Sequence, residues 1–417
     1  MNLHPLRALA HRDYRLYFAG QGISLVGTWM QQIAMSWVVY RMTQSSFQLS
    51  VVLFASQIPA LVLSPASGAL ADRWNRHRIL MGTQTLAMTQ AFLLALLMWT
   101  GRIDVWQLIL LSLFLGVVNT FDMTTRQAFL SEMVVHPADL GNAIALNSLL
   151  VNGARLLGPT LAGILLARTS AEVCFLLNGL SYLAVLLALW AMRLEGPRRE
   201  RPTVPLWQGL REGFRYVREF APIRRLLLLL GLSSMAGTSY RVLLPEFTVR
   251  RLEGDARTLA FLTAASGLGA VAGAMVLAAR KSVLGLDRWI VLALTLLGLG
   301  LLAFVGLDDF KLALLALFAI GFGMMVEMAA SNTLLQTIVA EDKRGRVMSF
   351  YTMAFLGMAP LGSLMTGVLA DWLGLRIAFL INGLLCLAGA ALFGIGLPRW
   401  RVLVRPIYVQ RKIVNHG

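Results

Sequence analysis

Long apolar stretches recur along the chain, and short polar or basic segments separate them. Each stretch has about 20 or more mostly apolar residues, which is the length that a helix needs to cross a bilayer. Because the backbone must satisfy its own hydrogen bonds in hydrocarbon, these stretches are predicted to be helical. The predicted spans are twelve, at residues 15–40, 47–71, 78–100, 105–133, 142–167, 172–193, 224–248, 258–280, 288–306, 310–338, 346–370 and 376–397.

An internal repeat relates the first six predicted helices to the last six. The segment FLLNGLSYLA at 175–184 matches FLINGLLCLA at 379–388, an offset of 204 positions. At an offset of 205 positions, Gly68 matches Gly273 and Asp122 matches Glu327. Parallel repeats of this kind occur in transporters that hold their substrate between two halves near the middle of the membrane. We therefore predict an all-α membrane protein with twelve transmembrane helices in two homologous six-helix bundles.

The longest polar segment divides the predicted helices six and six. It predicts an N-terminal six-helix bundle at 1–193, a cytoplasmic amphipathic linker at 194–223, a C-terminal six-helix bundle at 224–397 and a basic cytoplasmic tail at 398–417. In the linker, apolar residues recur at helical spacing, namely Trp207, Leu210, Phe214 and Val217. This spacing favours a helix lying in the inner membrane interface, and a solvated linker with an incidental apolar stripe is the alternative.

The composition supports a membrane protein and argues against several other classes. Of 417 residues, 57% are hydrophobic and only 14% are charged, too few charges to cover the surface of a soluble protein of this size. The net charge of +16 comes from short basic clusters between apolar runs, unlike the basic face of a nucleic-acid-binding protein. The cysteines and histidines form no metal or redox motif, and the sequence has no phosphate-binding glycine-rich loop and no hydrolase motif. We expect no enzyme activity, no metal or other cofactor, and no nucleic-acid partner.

The distribution of Lys and Arg predicts the orientation in the membrane. With both termini in the cytoplasm, 26 of the 37 basic residues fall in cytoplasmic tails and loops, 8 in outer loops and 3 within helices. Cytoplasmic loops are enriched in Lys and Arg, which favours this orientation. The basic N-terminus precedes a helix of full spanning length without an evident small-residue cleavage site, so we expect an uncleaved first helix.

Several motifs resemble those of one transporter family. The segment GALADRWNRHR at 68–78 resembles the Gly-x-Leu-Ala-Asp-Arg-x-Gly-Arg-Arg loop of the major facilitator superfamily, with Asn75 where that pattern prefers Gly. The segment NGARLLGPTLAG at 152–163 is similar to the Gly-Pro helix motif of that family. Three further stretches resemble the branch that contains siderophore exporters of the enterobactin-exporter type and related drug-efflux carriers: HRDYRLYFAGQGIS at 11–24, FDMTTRQAF at 121–129 and RGRVMSFY at 344–351. The resemblance implies export driven by the proton gradient.

The charged residues of the predicted fourth helix suggest a partner in the cytoplasmic loop. A carboxylate in the membrane is accommodated at least cost by a cationic partner, and Arg76 is the candidate partner of Asp122. The resemblance implies the same charge relay, and it implies that Asp72 approaches the start of a helix in the other half. The predicted latch and relay comprise Gly68, Asp72, Arg73, Arg76, Asp122, Arg126, Lys281 and Glu327.

Both membrane acids have a second interpretation. Asp122 is either part of the latch, as favoured here, or a site that gains and loses a proton during transport. Glu327 either pairs with Lys281 as a second, degenerate relay, which we favour, or faces the cavity and couples proton flow to export.

Polar residues within the predicted helices are candidates for the substrate cavity. They are Gln21, Thr28, Gln31, Asn119, Asn152, Arg155, Tyr240 and Arg241. Arg155 is the best candidate for contact with an acidic substrate group, and a structural pair with another helix is the alternative. Tyr240 and Arg241 are either an outer gate or interfacial anchors. Gly158 and Gly163 are predicted to allow close helix packing, and Pro159 to allow bending.

Together these features predict a multi-pass secondary transporter of a bacterial inner membrane. We expect it to export an amphipathic small molecule, drug-like or a siderophore, as a monomeric antiporter that works by alternating access. A lysophospholipid transporter is the nearest alternative. A membrane-embedded hydrolase or acyltransferase would need a nucleophile with a base or a metal cluster, and a receptor of this fold would usually carry a substantial soluble output domain.

Overall fold

The computed structural model describes residues 6–134, 139–192, 214–280, 282–340 and 343–411, except for five side chains in these ranges, that of Asp72 among them. Contacts between Cα atoms divide the chain into two compact units. Unit 1 comprises Met1–Thr203 and Thr248–Ala264, and unit 2 comprises Val204–Phe247 and Ala265–Gly417.

Six long helices form the first half of the chain. They are α1 (Arg12–Thr43), α2 (Ser46–Arg73), α3 (Arg76–Trp99), α4 (Val105–Met133), α5 (Leu140–Arg168) and α6 (Ala171–Ala191). Side-chain caps fix where several of them begin: the Ser45 hydroxyl accepts the Gln48 amide, and the Asn75 side chain accepts the Arg78 amide. Asp104 and Gln107 form a reciprocal capping box at the start of α4. The Asn75 cap thus sets the end of the loop between α2 and α3, and the capping box sets the start of α4.

The second half has the same number of spans, but two of them are interrupted. Its helices are α7 (Ala221–Gly237), α8 (Tyr240–Arg250), α9 (Ala256–Ala278), α10 (Leu286–Ala303), α11 (Phe310–Ile338), α12 (Arg344–Thr352), α13 (Met358–Leu373) and α14 (Leu375–Gln410). α7 and α8 together form the seventh span, and a π-helical turn at Met353–Gly357 joins α12 and α13 in the eleventh. Among the described residues, eleven spans are long and apolar enough to cross a membrane. The one predicted span that is not among these eleven is α1, which carries many polar residues.

The C-terminal segment differs from its prediction. The twelfth span was expected to end at residue 397 and a cytoplasmic tail to follow, but α14 continues without interruption to Gln410. Trp400 and Val404 on this extension are buried, and the Trp400 indole N–H donates to the Pro222 carbonyl. The extension is therefore a packed part of unit 2. In the predicted linker, Trp207 and Leu210 lie outside the described residues, and residues 214–219 are helical.

A pair of glycines shows the repeat in helix packing. A Cβ on Gly116 of α4 would lie 2.4 Å from the Ser56 carbonyl oxygen of α2, and one on Gly321 of α11 would lie 1.9 Å from the Ser266 carbonyl oxygen of α9. The two glycines are 205 positions apart, the offset that relates Asp122 to Glu327. Only glycine allows the backbones to approach this closely, so equivalent helix pairs use the same device in both halves.

Candidate functional site

The buried Arg76 closes the loop between α2 and α3 within unit 1. Its Nε donates to the Ala71 carbonyl, and its Nη1 donates to the Ala128 carbonyl, each at 3.0 Å. Nη1 also lies 3.0 Å from the Glu132 carboxylate in the last turn of α4. One guanidinium thus ties the end of α2 to the end of α4, which uses the fixed fork of donors that arginine provides.

Asp122 belongs to a separate polar cluster in the interior of unit 1. Its Oδ1 accepts the Thr83 hydroxyl at 3.0 Å and the Gln84 amide at 2.7 Å, and both donors lie on α3. Its Oδ2 lies 3.3 Å from Nη2 of Arg126, one turn further along α4. Asp122 is 5% exposed, so the carboxylate is held by three partners away from solvent.

The predicted pair of Arg76 and Asp122 is therefore wrong. The middle of α4 is at residue 119, so Asp122 is about 4.5 Å beyond the helix midpoint at 1.5 Å per residue. Glu132 is about 15 Å further along the helix, where the loop between α2 and α3 is in reach. The sequence contains a second acid on the same helix, Glu132. Its position in the last turn of α4, next to the loop, could have identified it as the partner of Arg76.

Two further positions of the predicted latch, Gly68 and Arg73, lie near the end of α2. Gly68 lies in α2, and a Cβ built there would have no heavy atom within 4 Å, so packing does not demand glycine. Arg73 is the last residue of α2 and is exposed. The side chain of Asp72 and all of Lys281 lie outside the described residues. The predicted contact of Asp72 with the other half and the predicted pair of Lys281 with Glu327 stay predictions.

Glu327 lies within α11 in unit 2 and is 1% exposed. Its Oε1 accepts the Ser331 hydroxyl at 3.4 Å, and Ser233 of α7 is a second hydroxyl neighbour. Among the cations that the structure describes, none forms an ion pair with this carboxylate. A buried carboxyl group held by hydroxyls exchanges a proton at lower cost than one fixed in an ion pair.

The new partner of Arg76 changes the interpretation of Glu327. The repeat relates Glu327 to Asp122, whereas the acid that pairs with Arg76 is Glu132, and the position 205 residues after Glu132 is Thr337. The analogy that favoured a second relay at Glu327 therefore no longer holds. Without this analogy, the alternative interpretation of Glu327 as a titratable acid in the interior of unit 2 is favoured over the second relay.

Buried amides join three helices elsewhere in unit 1. The Gln31 amide on α1 donates to the Gln90 carbonyl oxygen of α3 at 3.1 Å, and the Asn178 amide of α6 donates to the Gln31 carbonyl oxygen at 2.8 Å. All three side chains are at most 4% exposed. The Gln31 amide thus joins α1 to α3 and α6 within unit 1, and its predicted place in the substrate cavity stays a prediction.

The other candidates on α1 have different surroundings. Gln21 is 2% exposed, and its carbonyl oxygen has no hydrogen-bond partner among the described residues. The Thr28 hydroxyl donates to the Ser24 carbonyl at 3.0 Å and lies 3.5 Å from the Tyr182 hydroxyl. Both residues are therefore turned toward the interior of the unit.

Arg155 of α5 lies over an aromatic ring. Its guanidinium carbon is 5.1 Å from the centre of the Trp29 ring on α1, within the range of a cation–π contact. One turn before it, the Asn152 amide donates to the Ser148 carbonyl at 2.8 Å, and Asn119 of α4 is exposed. Arg155 thus has a partner on another helix, as the structural alternative anticipated, and contact with an acidic substrate stays a prediction.

Tyr240 and Arg241 begin α8. The Tyr240 hydroxyl lies 2.7 Å from the Ser266 hydroxyl, and the ring is 3% exposed. Arg241 is half-buried. Tyr240 is therefore a packed residue of unit 2 that ties α8 to α9.

The glycines of α5 lie at close helix contacts. A Cβ on Gly158 would lie 2.4 Å from the Trp29 Cβ, and one on Gly163 would lie 2.4 Å from the Ala260 Cβ, both within unit 1. Pro159 is buried inside α5, which is continuous from Leu140 to Arg168. Bending at this proline stays a prediction.

Comparison with known proteins identifies the relatives of this chain. The sequence profile of a family described as "Transmembrane secretion effector" matches residues 3–404. The chain is 26% identical over 377 residues to the Staphyloferrin A transporter of Staphylococcus aureus (strain NCTC 8325 / PS 47), which covers 89% of this chain and 92% of the relative. It is 26% identical over 396 residues to the Multidrug efflux pump Tap of Mycolicibacterium fortuitum, covering 92% and 94%. It is also 21% identical over 392 residues to Macrolide efflux protein A of Streptococcus pyogenes, covering 91% and 96%.

Solved structures agree on the fold. A crystal structure of a peptide transporter has a TM-score of 0.76 at 13% identity, covering 94% of this chain and 95% of the other. A bacterial homologue of the human lysosomal transporter Spinster has a TM-score of 0.66 at 15% identity, covering 96% and 98%. These likenesses confirm the predicted all-α transporter fold with two homologous six-helix bundles.

Proposed function

Because the chain belongs to the transmembrane secretion effector family of the major facilitator superfamily, we propose that it exports an amphipathic small molecule across a bacterial inner membrane. The family makes it a multi-pass membrane transporter rather than an enzyme. Export of a drug-like compound or a siderophore is supported by relatives named as efflux pumps and as a siderophore transporter. These names lend no support to the alternative of a lysophospholipid carrier.

The proposed energy source is the proton gradient, and the proposed mechanism is alternating access. The observation that carries the coupling is Glu327, a buried carboxyl group that has hydroxyl neighbours and no ion pair with a described cation. Ionisable residues within membrane helices are costly, and proton relays are one of their main uses. In unit 1, by contrast, Arg126 holds the charge of Asp122.

The proposal is tested by accumulation of a lipophilic fluorescent cation in cells that express the chain. Wild-type cells are expected to accumulate less of the cation than empty cells, and a protonophore is expected to abolish the difference. Glu327→Gln keeps the shape of the side chain and its capacity to accept the Ser331 hydroxyl, but it cannot release a proton. This variant is expected to lose export while its abundance in the membrane stays at the wild-type level.

The matched control is Glu253→Gln, which removes an exposed acid from the loop between α8 and α9. It should export like the wild type. Protonophore-sensitive export by Glu327→Gln at the wild-type rate would exclude Glu327 as the coupling acid. Equal accumulation in wild-type and empty cells would instead contradict export of lipophilic cations and direct the search to anionic cargo, with Arg155 as the first residue to test.

A further inference from the structure

The eleventh span contains a π-helical turn at Met353–Gly357, between α12 and α13 of unit 2. Such turns are rare inside α-helices and occur frequently at functional sites. Pro360 stands five residues after Phe355 and has no N–H, so it cannot make the π-helical bond to the Phe355 carbonyl. The Ser234 hydroxyl of α7 donates to that carbonyl. The backbone of the turn is therefore held in part by a side chain of another helix.

Two contacts lead from this turn to the neighbourhood of Glu327. Ser233, next to Ser234 on α7, is a hydroxyl neighbour of the Glu327 carboxyl group. The Tyr351 hydroxyl, two residues before the turn, donates at 3.1 Å to the carbonyl of Met328, which follows Glu327 on α11. The buried acid and the turn are therefore connected through α7 and through α12.

The Ser233 hydroxyl has two acceptors within reach and one proton to donate. In the structure it donates to the Leu230 carbonyl at 3.0 Å, within α7. A protonated carboxyl group can donate its own O–H to the Ser233 oxygen, and this leaves the bond to Leu230 in place. An ionised carboxylate only accepts hydrogen bonds, and a bond to a charged acceptor is stronger than a bond to a neutral one. Ionisation of Glu327 therefore favours a Ser233 hydroxyl that turns from Leu230 to the carboxylate.

α7 contacts the acid and the turn with neighbouring residues. Adjacent residues point about 100° apart on an α-helix, so the Ser233 and Ser234 hydroxyls contact two different elements, α11 and the π-helical turn. The contact of α7 with α13 is also tight, since a Cβ on Gly362 would lie 1.9 Å from the Met235 carbonyl oxygen. Packed elements of this kind shift between discrete arrangements instead of deforming continuously. A shift of α7 toward Glu327 therefore changes its contact with the turn.

The charge change at this place belongs to Glu327. Two other titratable groups of the described residues face it, the Tyr351 phenol of α12 and the Cys386 thiol of α14. A phenol and a thiol ordinarily titrate well above a carboxyl group. The hydroxyl neighbours on α7 and α11, Ser233 and Ser331, keep their protons.

We propose that Ser233 and Ser234 are positioning residues that pass the protonation state of Glu327 to the π-helical turn. Protonated Glu327 leaves the Ser234 bond to Phe355 intact, whereas ionised Glu327 draws Ser233 toward itself and weakens that bond. The turn is then the element of unit 2 that changes when the proton is released. This inference rests on the proposed function, in which Glu327 is the coupling acid.

The test is hydrogen–deuterium exchange with mass spectrometry on the purified full-length chain in a neutral detergent, followed in the peptide that contains the π-helical turn. Wild type is compared with Glu327→Gln at the same pH, because this peptide has the same sequence in both and the direct effect of pH on exchange cancels. The new amide can donate to Ser233 as a protonated acid does. At low pH the two proteins are expected to exchange alike. At high pH the wild type is expected to exchange about threefold or more faster, as the loss of one hydrogen bond predicts.

The serine variants separate the two steps. Ser233→Ala should lose the faster exchange at high pH, whereas Ser233→Thr, which keeps the hydroxyl, should retain it. Ser234→Ala should exchange fast at both pH values, because the turn has lost its donor. The matched control is Ser349→Ala, which removes a hydroxyl that bonds within α12 to the Arg346 carbonyl at 2.6 Å and should behave like the wild type. The unfolding temperature of each variant reports whether it is folded.

The exchange measurement needs no transport, so its outcome is separate from that of the export assay. Equal exchange of wild type and Glu327→Gln at high pH would contradict the proposal, and so would a full pH response in Ser233→Ala. If Glu327→Gln loses export while Ser233→Ala keeps the full pH response, Glu327 stays the coupling acid and the role of the serines is wrong. Export by Glu327→Gln at the wild-type rate would instead overturn the proposed function and the role of the turn in transport.

Discussion

At the scale of single residues, Asp122 and Glu327 occupy equivalent positions but have different neighbours. Residues four apart on a helix share a face, and four residues after Asp122 stands Arg126. Four residues after Glu327, at the same repeat offset, stands Ser331. The first acid therefore has an internal counter-ion and the second has a hydroxyl. This difference is the basis on which we propose Glu327, and not Asp122, as the acid that exchanges a proton.

Asp122→Asn is expected to destabilise the protein more than the double variant Asp122→Asn/Arg126→Gln. The single change leaves the Arg126 guanidinium without its counter-ion, and breaking a buried ion pair from one side costs about 3–5 kcal/mol. Removing both charges avoids that cost, and an amide at 122 still accepts from Gln84. Thermal unfolding in detergent measures the order of the variants. A double variant that is no more stable than Asp122→Asn would show that the ion pair does not account for the loss.

The sequence indicated the residue types of this cluster better than their partners. The pattern NTFDMTTRQ marks α4 as functionally unusual, and the acid and the base four residues apart were visible in it. The sequence could not decide whether Arg76 or Arg126 is the partner of Asp122. Whether Arg76 can reach Asp122 depends on where α4 ends relative to the loop between α2 and α3. Thr83 and Gln84 were missed because hydroxyl and amide residues are common in helices and become partners only once α3 packs on α4.

At the scale of elements, the sequence predicts the spans but not their interruptions. The Ser234 hydroxyl at the end of α7 donates to the Phe355 carbonyl in the π-helical turn, and the Thr238 hydroxyl donates to the Ser234 carbonyl at 2.6 Å. Interrupted helices release backbone carbonyls, and hydroxyls can satisfy them inside a membrane protein. Hydropathy measures only the average composition of a segment. It therefore does not reveal the break between α7 and α8 or the π-helical turn at Met353–Gly357, which are linked by a hydrogen bond within unit 2.

Gly321→Val is expected to separate α11 from α9 and to lower the unfolding temperature by several degrees. A Cβ at this position would lie 1.9 Å from the Ser266 carbonyl oxygen, so the backbones have to move apart. Overpacking of this kind costs about 1–3 kcal/mol. Thermal unfolding in detergent is the measurement, with Gly82→Val of α3 as the control, because a Cβ there has no heavy atom within 4 Å. Equal unfolding temperatures for the two variants would contradict the close approach of α9 and α11.

At the scale of the whole molecule, the repeat was the strongest signal in the sequence. Two segments of ten residues at 175–184 and 379–388 predicted the division into two bundles, because the packing of a helix constrains both of its copies in the same way. The extension of α14 was missed for a physical reason. Its Pro398 and its arginines are typical of a helix end and a tail, whereas the buried Trp400 and Val404 hold it against unit 2.

The orientation predicted from charge is open to a direct labelling experiment. Loops on the cytoplasmic side hold 26 of the 37 basic residues in this orientation, which places the loop at Arg102 outside and Gln410 inside. The native cysteines, Cys174 and Cys386, are buried, so a membrane-impermeant maleimide should react with an added cysteine at an exposed site over a low background. Arg102→Cys is expected to react in intact cells, and Gln410→Cys only after the membrane is permeabilised. The reverse pattern would mean that the orientation is inverted. Reaction of both added cysteines in intact cells would contradict the prediction that the chain crosses the membrane an odd number of times between residues 102 and 410.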